Sequence, residues 1–415
     1  MRTERFEAVG AAPALPSHRR RRHAGNHHPR RPTRASVALR ALVLAAATAG
    51  LLAVTAGQAS ASDVTCGDAI TTDTTLGGDL VACPNNGIVI GADDITLDLN
   101  GHTIGGDGEL EEACADDQFC DVGVVNDGHS RVTIKGGPVR EFGLAVLVLG
   151  ASDNRLLDLS ATNSIFSGVV IADSARVQLE RSAIVANGLH TDEGGVALFA
   201  SSQGRIAHNS ISGNGDTGIF ALEANDTVFE RNELSDNPEA GMLLEESNRN
   251  VFDRNRLSRN GQGITVGGDG NRITRNRVFD SDAGLPDEGG LGIRVEGLED
   301  ASDNVVERNV VARASRAGIQ VSAVNTVVRH NRLRGNGDGV SVLDVAENTL
   351  LEGNHASGSE DDGIDVDSPA TTLIANHAVH NLDLGIEAVA GVTDGGGNKA
   401  SGNGTPAQCT NVACT

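Results

Sequence analysis

From Gly123 onward the chain is a succession of apolar runs three to five residues long, separated by Gly, Asn and Asp. Gly318-Ile-Gln-Val321 and Thr326-Val-Val328 are typical. Runs this short, rich in β-branched residues and bounded by turn formers, predict strands rather than helices. Their spacing is regular. Glycine-initiated runs recur at Gly123, Gly143, Gly168, Gly195, Gly218, Gly241, Gly263, Gly292, Gly318, Gly339, Gly363 and Gly385, eleven intervals over 262 residues, so the period is 262/11, about 24. A second column, Asn232, Asn255, Asn276, Asn309, Asn331, Asn354 and Asn376, keeps a step of 21 to 23 residues apart from the 33 between Asn276 and Asn309. No 3.6-residue periodicity persists for three turns, which removes an α-helical solenoid.

One such unit cannot bury its apolar side chains alone. Stacking strand on equivalent strand buries them and gives long parallel sheets. The expected fold is therefore all-β: a single-stranded right-handed parallel β-helix, a solenoid of about twelve coils over residues 93–390, with its hand taken from the crossover rule. The repeated Asn residues belong at the corners, because Asn tolerates left-handed turns and stacked amides hydrogen-bond from coil to coil.

Parity along the glycine run separates inside from outside. Counting Gly as zero, positions 1 and 3 are apolar in coil after coil (Ile264/Val266, Ile319/Val321, Ile364/Val366) and face inward, so position 2 faces out. The outward row reads Ala145, Val170, Ala197, Phe220, Leu243, Thr265, Arg294, Gln320, Ser341, Asp365 and Glu387. Its first half is apolar, extended at position 4 by Leu147, Ala172, Phe199 and Leu222, and a contiguous patch of this kind calls for a cover or a partner. Three acidic interruptions, Gly105–Asp121, Gly188–Gly194 and Ser281–Leu291, fall at one corner just before the glycine run and are placed to overhang that face.

Charge and cysteines set the compartment. Arg-rich residues 19–34, the apolar stretch Ala41–Ala56 and the small-residue site Ala59-Ser60-Ala61 read as a secretory signal peptide over residues 1–61. That segment holds ten of the 33 basic and two of the 56 acidic residues, so residues 62–415 carry 23 − 54 = −31. So acidic a chain, with only Lys135 and Lys399 as lysines and no Trp or Tyr, is not built for nucleic acid, and no membrane span is expected in the mature chain. The cysteines fall as three close pairs, Cys66 with Cys83, Cys114 with Cys120, and Cys409 with Cys414; three local disulfides are expected, as an oxidising compartment favours. The first and last would staple an N-terminal cap at 62–92 and a C-terminal tail at 391–415, and the middle one would close a surface loop.

The segment Ile95-Thr-Leu-Asp-Leu-Asn-Gly-His-Thr-Ile104, following Cys66 and Cys83 and preceding the Gly/Asn repeats, resembles secreted right-handed β-helix proteins of the pectate-lyase-like superfamily over roughly residues 63–404. The resemblance implies the fold. It also implies contact with polysaccharide, the commonest theme among the lyases, hydrolases, epimerases and adhesins of that superfamily.

The candidate chemistry lies in the polar half of the outward row. In Ser359-Glu-Asp-Asp-Gly-Ile-Asp-Val-Asp367, Asp365 and Asp367 share outward parity, and Glu387 lies one coil beyond Asp365. Carboxylates one rung apart shift each other's proton affinity, as an acid/base pair or a calcium site requires. Asp362-Gly-Ile-Asp365 resembles part of the polygalacturonase pattern, in which aspartates protonate the leaving oxygen and activate water. The pattern's Gly-His-Gly and Arg-Ile-Lys partners are missing here. Asp362, Asp365 and Glu387 are accordingly the catalytic candidates, for a polysaccharide lyase or glycoside hydrolase; Arg294, Gln320, Ser341 and Asp367 are the ligand-binding ones; Asp365, Asp367 and Glu387 are the calcium ones. His355 and His377, each one residue past the Asn column, are stacked candidates for copper or zinc.

Two classes of function follow. One is a secreted protein contacting extracellular or cell-wall polysaccharide, with or without cleavage of a glycosidic bond. The other is a non-catalytic structural or adhesion-type rod whose apolar face or acidic loops meet a surface protein, with a metal-binding β-helix as a further alternative.

Overall fold

The computed structural model describes residues 64–109, 121–189, 194–282, 289–297 and 301–415. The signal-peptide segment lies outside the described residues, as do parts of all three acidic interruptions. Every regular element described is a β-strand, and every pairing between strands is parallel. The glycine runs form one sheet of 14 strands, from Asp68–Ile70 to Ile386–Ala388. A second row runs from Thr74–Thr75 to Thr393–Asp394 and a third from Leu80–Cys83 to Lys399–Ser401. The strands Thr133–Arg140 and Arg155–Thr162 run unbroken through the second and third rows, so the wall bends there without a break in pairing. Residues 68–83 supply the first coil and 399–401 the last strand, inside the segments read from sequence as caps.

Two of the three expected disulfides are present. Cys66 is joined to Cys83 and Cys409 to Cys414, with Cα separations of 5.5 and 6.2 Å. The third expected bridge, between Cys114 and Cys120, is not among the described disulfides. Cys114 lies outside the described residues, and Cys120 lies outside them too, one position before they resume at Asp121.

The inward row is as parity dictates: Ile264, Val266, Ile319, Val321, Ile364 and Val366 are buried in one continuous axial core. Phe229 and Phe252 stack inside it at 5.1 Å. The glycine column reflects close approach, since a Cβ at Gly339 would lie 2.2 Å from the Gly363 carbonyl oxygen and 2.7 Å from the Ala356 Cβ. One register expectation needs correction. Val146 pairs with Val169, which puts Ala145 rather than Gly143 in the glycine column and Leu147 rather than Ala145 in the outward row.

The Asn columns do bond coil to coil, but the left-handed residue is the one before each Asn. Arg231, Arg254, Arg275, Arg308 and His330 have φ between 50° and 57°. That turn aims the next carboxamide inward. The buried Asn232 donates its N–H to Asn255 Oδ1 at 2.9 Å and its Nδ2 to the same oxygen at 3.1 Å, and the ladder continues through Asn276, Asn309, Asn331, Asn354, Asn376 and Asn398. A second ladder at the next corner runs Asn187, Asn214, Asn237 and Asn260. Outside, Arg and Asp alternate between coils: Arg176 on Asp153, Arg249 on Asp226 and Arg259 on Asp236 make two-pronged pairs.

The apolar outer patch is covered within this chain. Val125, Leu147, Val170, Ala172, Ala197, Phe199 and Leu222 form a second buried cluster, with Phe166 and Phe220 packed against it.

Asn331 Oδ1 is the acceptor for both Asn309 N–H and Asn309 Nδ2. Asn331→Ala would orphan buried donors and should cost about 2–4 kcal/mol in chemical denaturation, whereas Arg332→Ala, one residue on and exposed, should stay within about 0.5 kcal/mol of the parent. Val321→Asp, which buries an unpaired carboxylate in the axial core, should be worse than either. Equal stabilities for the two neighbouring alanine variants would refute the ladder as a structural element.

Candidate functional site

Register aligns the outward row rung by rung: Thr265, Arg294, Gln320, Ser341, Asp365 and Glu387 are consecutive partners, each step roughly 4.8 Å. The row is not uniformly open. Gln320 and Ser341 are only 9% and 6% exposed, and Arg294 is half-buried, with its guanidinium 2.5 Å from Glu296. Two of the proposed ligand-binding side chains therefore offer a ligand little surface. Access widens at the carboxyl end.

There, oxygens of Asp362, Asp365 and Glu387 lie within 4.8 Å of one another, and so do those of Asp338, Asp361 and Asp362. Asp362 is the hub. It stands immediately before Gly363, is 4% exposed, and its Oδ1 accepts the Leu384 N–H at 2.7 Å. Its own N–H donates to Asp338 Oδ1 at 3.2 Å, and its carboxyl lies close to that of Glu387. Burial, followed by the charges of Asp367, Asp338 and Glu387, pushes Asp365 up to about 8. Burial pushes Asp338 to about 6 and raises Asp362 well above the ordinary carboxylate range. Asp361 and Asp367 are raised as well, first by partial burial and then by neighbouring carboxylates.

Asp367 lies on the exposed flank of this set, outside the group whose oxygens converge; Asp362 takes the place that the sequence reading gave it among calcium ligands. Asp338 was missed. It precedes Gly339 as Asp362 precedes Gly363, so the glycine column carried the signal. Chemically the cluster offers a protonated carboxyl at neutral pH beside an ionised one. Deprotonated, Asp362, Asp365 and Glu387 are three hard oxygen donors suited to calcium.

The histidine pair sits elsewhere, on the third row. His355 and His377 are rung partners with ring centroids 4.9 Å apart, edge to face. Arg332 lies one rung before them and Lys399 one rung after. Burial lowers His355, helped by the positive charge of His377, Arg334 and Arg332. Cationic rungs on both sides oppose a copper or zinc ion there.

A family model described as "right handed beta helix region" matches residues 122–279 and 263–412. No curated protein matches the chain. Among solved structures, the A-module of the Azotobacter vinelandii mannuronan C-5 epimerase AlgE4 is similar at 15% identity, covering 84% of this chain and 91% of that one with a TM-score of 0.51. The periplasmic alginate epimerase AlgG aligns at 14% identity over 81% and 74%, TM-score 0.46. PfbA, a surface adhesin of Streptococcus pneumoniae, aligns at 12% over 77% and 83%, TM-score 0.49. At such identities the likeness is one of fold. With parallel coils throughout and a family model spanning most of its length, the chain belongs to the right-handed β-helix family.

Proposed function

We propose that this is an exported β-helix protein that contacts polysaccharide at the carboxyl end of its first sheet, where Asp362, Asp365 and Glu387 act as acid and base on a glycosidic bond. The observation that carries the reading is the convergence of these three carboxyls within 4.8 Å, Asp365 and Glu387 on the outward row and Asp362 buried beside them, with burial and neighbouring charge pushing Asp365 up to about 8. In this reading Asp365 gives its proton to the leaving oxygen while Glu387, one rung on, takes a proton from the water that attacks the sugar carbon, so the glycosidic bond breaks as the new carbon–oxygen bond forms, and buried Asp362 positions the two. Export is supported by the two disulfides, which belong to an oxidising compartment. The rival reading, a rod that meets a protein, loses the apolar face as its contact, because that face is buried within the chain itself, and is left with the acidic loops.

The proposal is tested on the full mature chain against neutral and acidic glycans, scored for new reducing ends and for unsaturated products. Asp365→Asn and Glu387→Gln should each lower cleavage by about 10²–10⁴-fold, the usual weight of a general acid or base. Cleavage at parental rate in both variants would remove the assignment.

The cluster also sets a pH dependence. A carboxyl whose native pKa is raised binds its proton in the folded chain at a pH where the unfolded chain has lost it. The stability it contributes is complete below the unfolded value near 4 and is lost as pH rises toward 8. The melting temperature should therefore fall between pH 5 and pH 8, and Asp365→Asn should flatten that fall, matching the parent at pH 5 and exceeding it at pH 8. Identical profiles for parent and variant would contradict the buried, protonated state.

Calcium offers a second reading of the same oxygens. Millimolar calcium at constant ionic strength should then raise the melting temperature at pH 8, and Asp365→Asn with Glu387→Gln should abolish most of the rise. A rise that survives the double substitution moves the ion elsewhere.

A further inference from the structure

The third row of strands carries a different pattern. Rung partners along its outer face are Arg256, Arg277, Val310, Arg332, His355, His377 and Lys399. The parallel outward row two residues on reads Ser258, Phe279, Ala312, Arg334, Ser357, Val379 and Ser401. Neither row holds a carboxylate over seven successive rungs, about 29 Å at roughly 4.8 Å per step. This is unusual for a chain of net charge −23.

Elsewhere the arginines are matched coil to coil: Arg131, Arg176, Arg181, Arg249, Arg259 and Arg313 each meet an aspartate of a neighbouring coil. Among the described residues Arg256, Arg277, Arg332, Arg334 and Lys399 form no ion pair, and all five are exposed. Arg256 and Arg277 are rung partners, and like charges directly opposite on neighbouring strands are destabilising; Glu233 precedes Arg256 on the coil before, so it is from Arg277 onward that the file lacks a carboxylate on adjacent rungs and calls for a counter-charge from outside the chain. A cavity of about 460 Å³ interrupts the file at its middle, lined by His330, Arg332, Arg334, Gly353 and His355. The glycine opens it: Gly353 holds the left-handed corner, φ 62°, that Arg254, Arg275 and Arg308 hold in earlier coils.

We propose that this face is a binding strip for an extended anionic polysaccharide lying along the solenoid axis, its acidic groups meeting Arg256, Arg277, Arg332, His355, His377 and Lys399 in turn. A single file with permanent cations at four of its seven rungs, Arg256, Arg277, Arg332 and Lys399, and two imidazoles as hydrogen-bonding groups between the last two fits one extended chain that carries acidic groups along its length. A nucleic acid fits less well, because the strip offers a poor base-stacking platform: its one phenyl ring, Phe279, is flanked by the Arg256 and Arg313 guanidiniums at 5.6 and 5.7 Å, and the His355 and His377 rings stand edge to face against each other. The strip lies on a different sheet from the carboxyl cluster and stands independently of it.

The test uses the full mature chain with polygalacturonate, neutral dextran and a single-stranded oligothymidylate of matched length, by calorimetry at several salt concentrations. The parent should bind polygalacturonate, with affinity falling steeply as salt rises, and should not bind dextran. Arg277→Ala with Arg332→Ala should weaken binding tenfold or more and flatten the slope of log K on log salt by about 1.4, roughly 0.7 for each contact removed. Arg277→Lys with Arg332→Lys should keep most of the affinity. Both side chains are exposed, so melting temperatures should match the parent; should the alanine pair fail to fold, Lys399→Ala alone, also exposed, should still weaken binding and lower the slope. No binding by the parent, unchanged binding in the alanine variants, tighter binding of the oligonucleotide, or loss confined to Asp365→Asn with Glu387→Gln would each overturn the strip.

Discussion

Everything outward on this molecule depends on how its corners are turned. A coil that closes every 22 or so residues must reverse direction sharply, and it does so by placing one residue in the left-handed region and the next carboxamide inside. For an arginine or histidine that conformation costs about 1 kcal/mol or more. The buried amide ladder offsets it, since each Asn accepts from the backbone and the side chain of the preceding coil while donating to a strand carbonyl of that same coil, as Asn331 does to Val306. The two features are one device: the left-handed residue aims the amide, and the amide holds the left-handed residue.

The device releases the outer positions from structural duty. Once the axial core and the ladders hold the coils in register, position 2 of a strand can be apolar, polar or charged without changing the fold. Charge has been sorted accordingly, with carboxyls gathered at the end of the first sheet, matched Arg and Asp at the corners, and unmatched cations on the third row. The rung spacing turns each choice into a linear array. It also makes neighbours electrostatically inseparable, which is why Asp365 responds to Asp338 a coil before it and Glu387 a coil after.

Much of this was legible in the sequence where a single residue type answers to a single constraint. The glycine column marks close approach of coils, the inward Ile and Val follow from parity, and Asp365 and Glu387 fall together because their glycines do. Other features were hidden because they depend on a third dimension that spacing does not encode. Arginine is a poor advertisement for a left-handed turn, so nothing about Arg231 or Arg254 marks the corner. The slip that puts Ala145 in the glycine column follows from pairing with Val169 and its neighbours. Gln320 and Ser341 have the right parity but too little exposure, and parity says nothing about exposure. Asp338 lies before its glycine, one position outside the run used to define the row; Asp362 has the same place and was found only through its string with Asp365.

The same separation of frame from surface explains why fold similarity at about 15% identity says so little about chemistry in this family. The frame asks for small residues in one column, amides in another and β-branched side chains inside, a sparse set of demands that very different sequences can meet. The distinguishing information lies in which outward rungs are charged and whether a neighbour neutralises them. On that criterion two places stand out. At the carboxyl end of the first sheet the unbalanced charge is negative and partly buried, so it is relieved by protons or a cation. On the third row it is positive and exposed, so neither burial nor protonation can relieve it, and only an anion from outside the chain does.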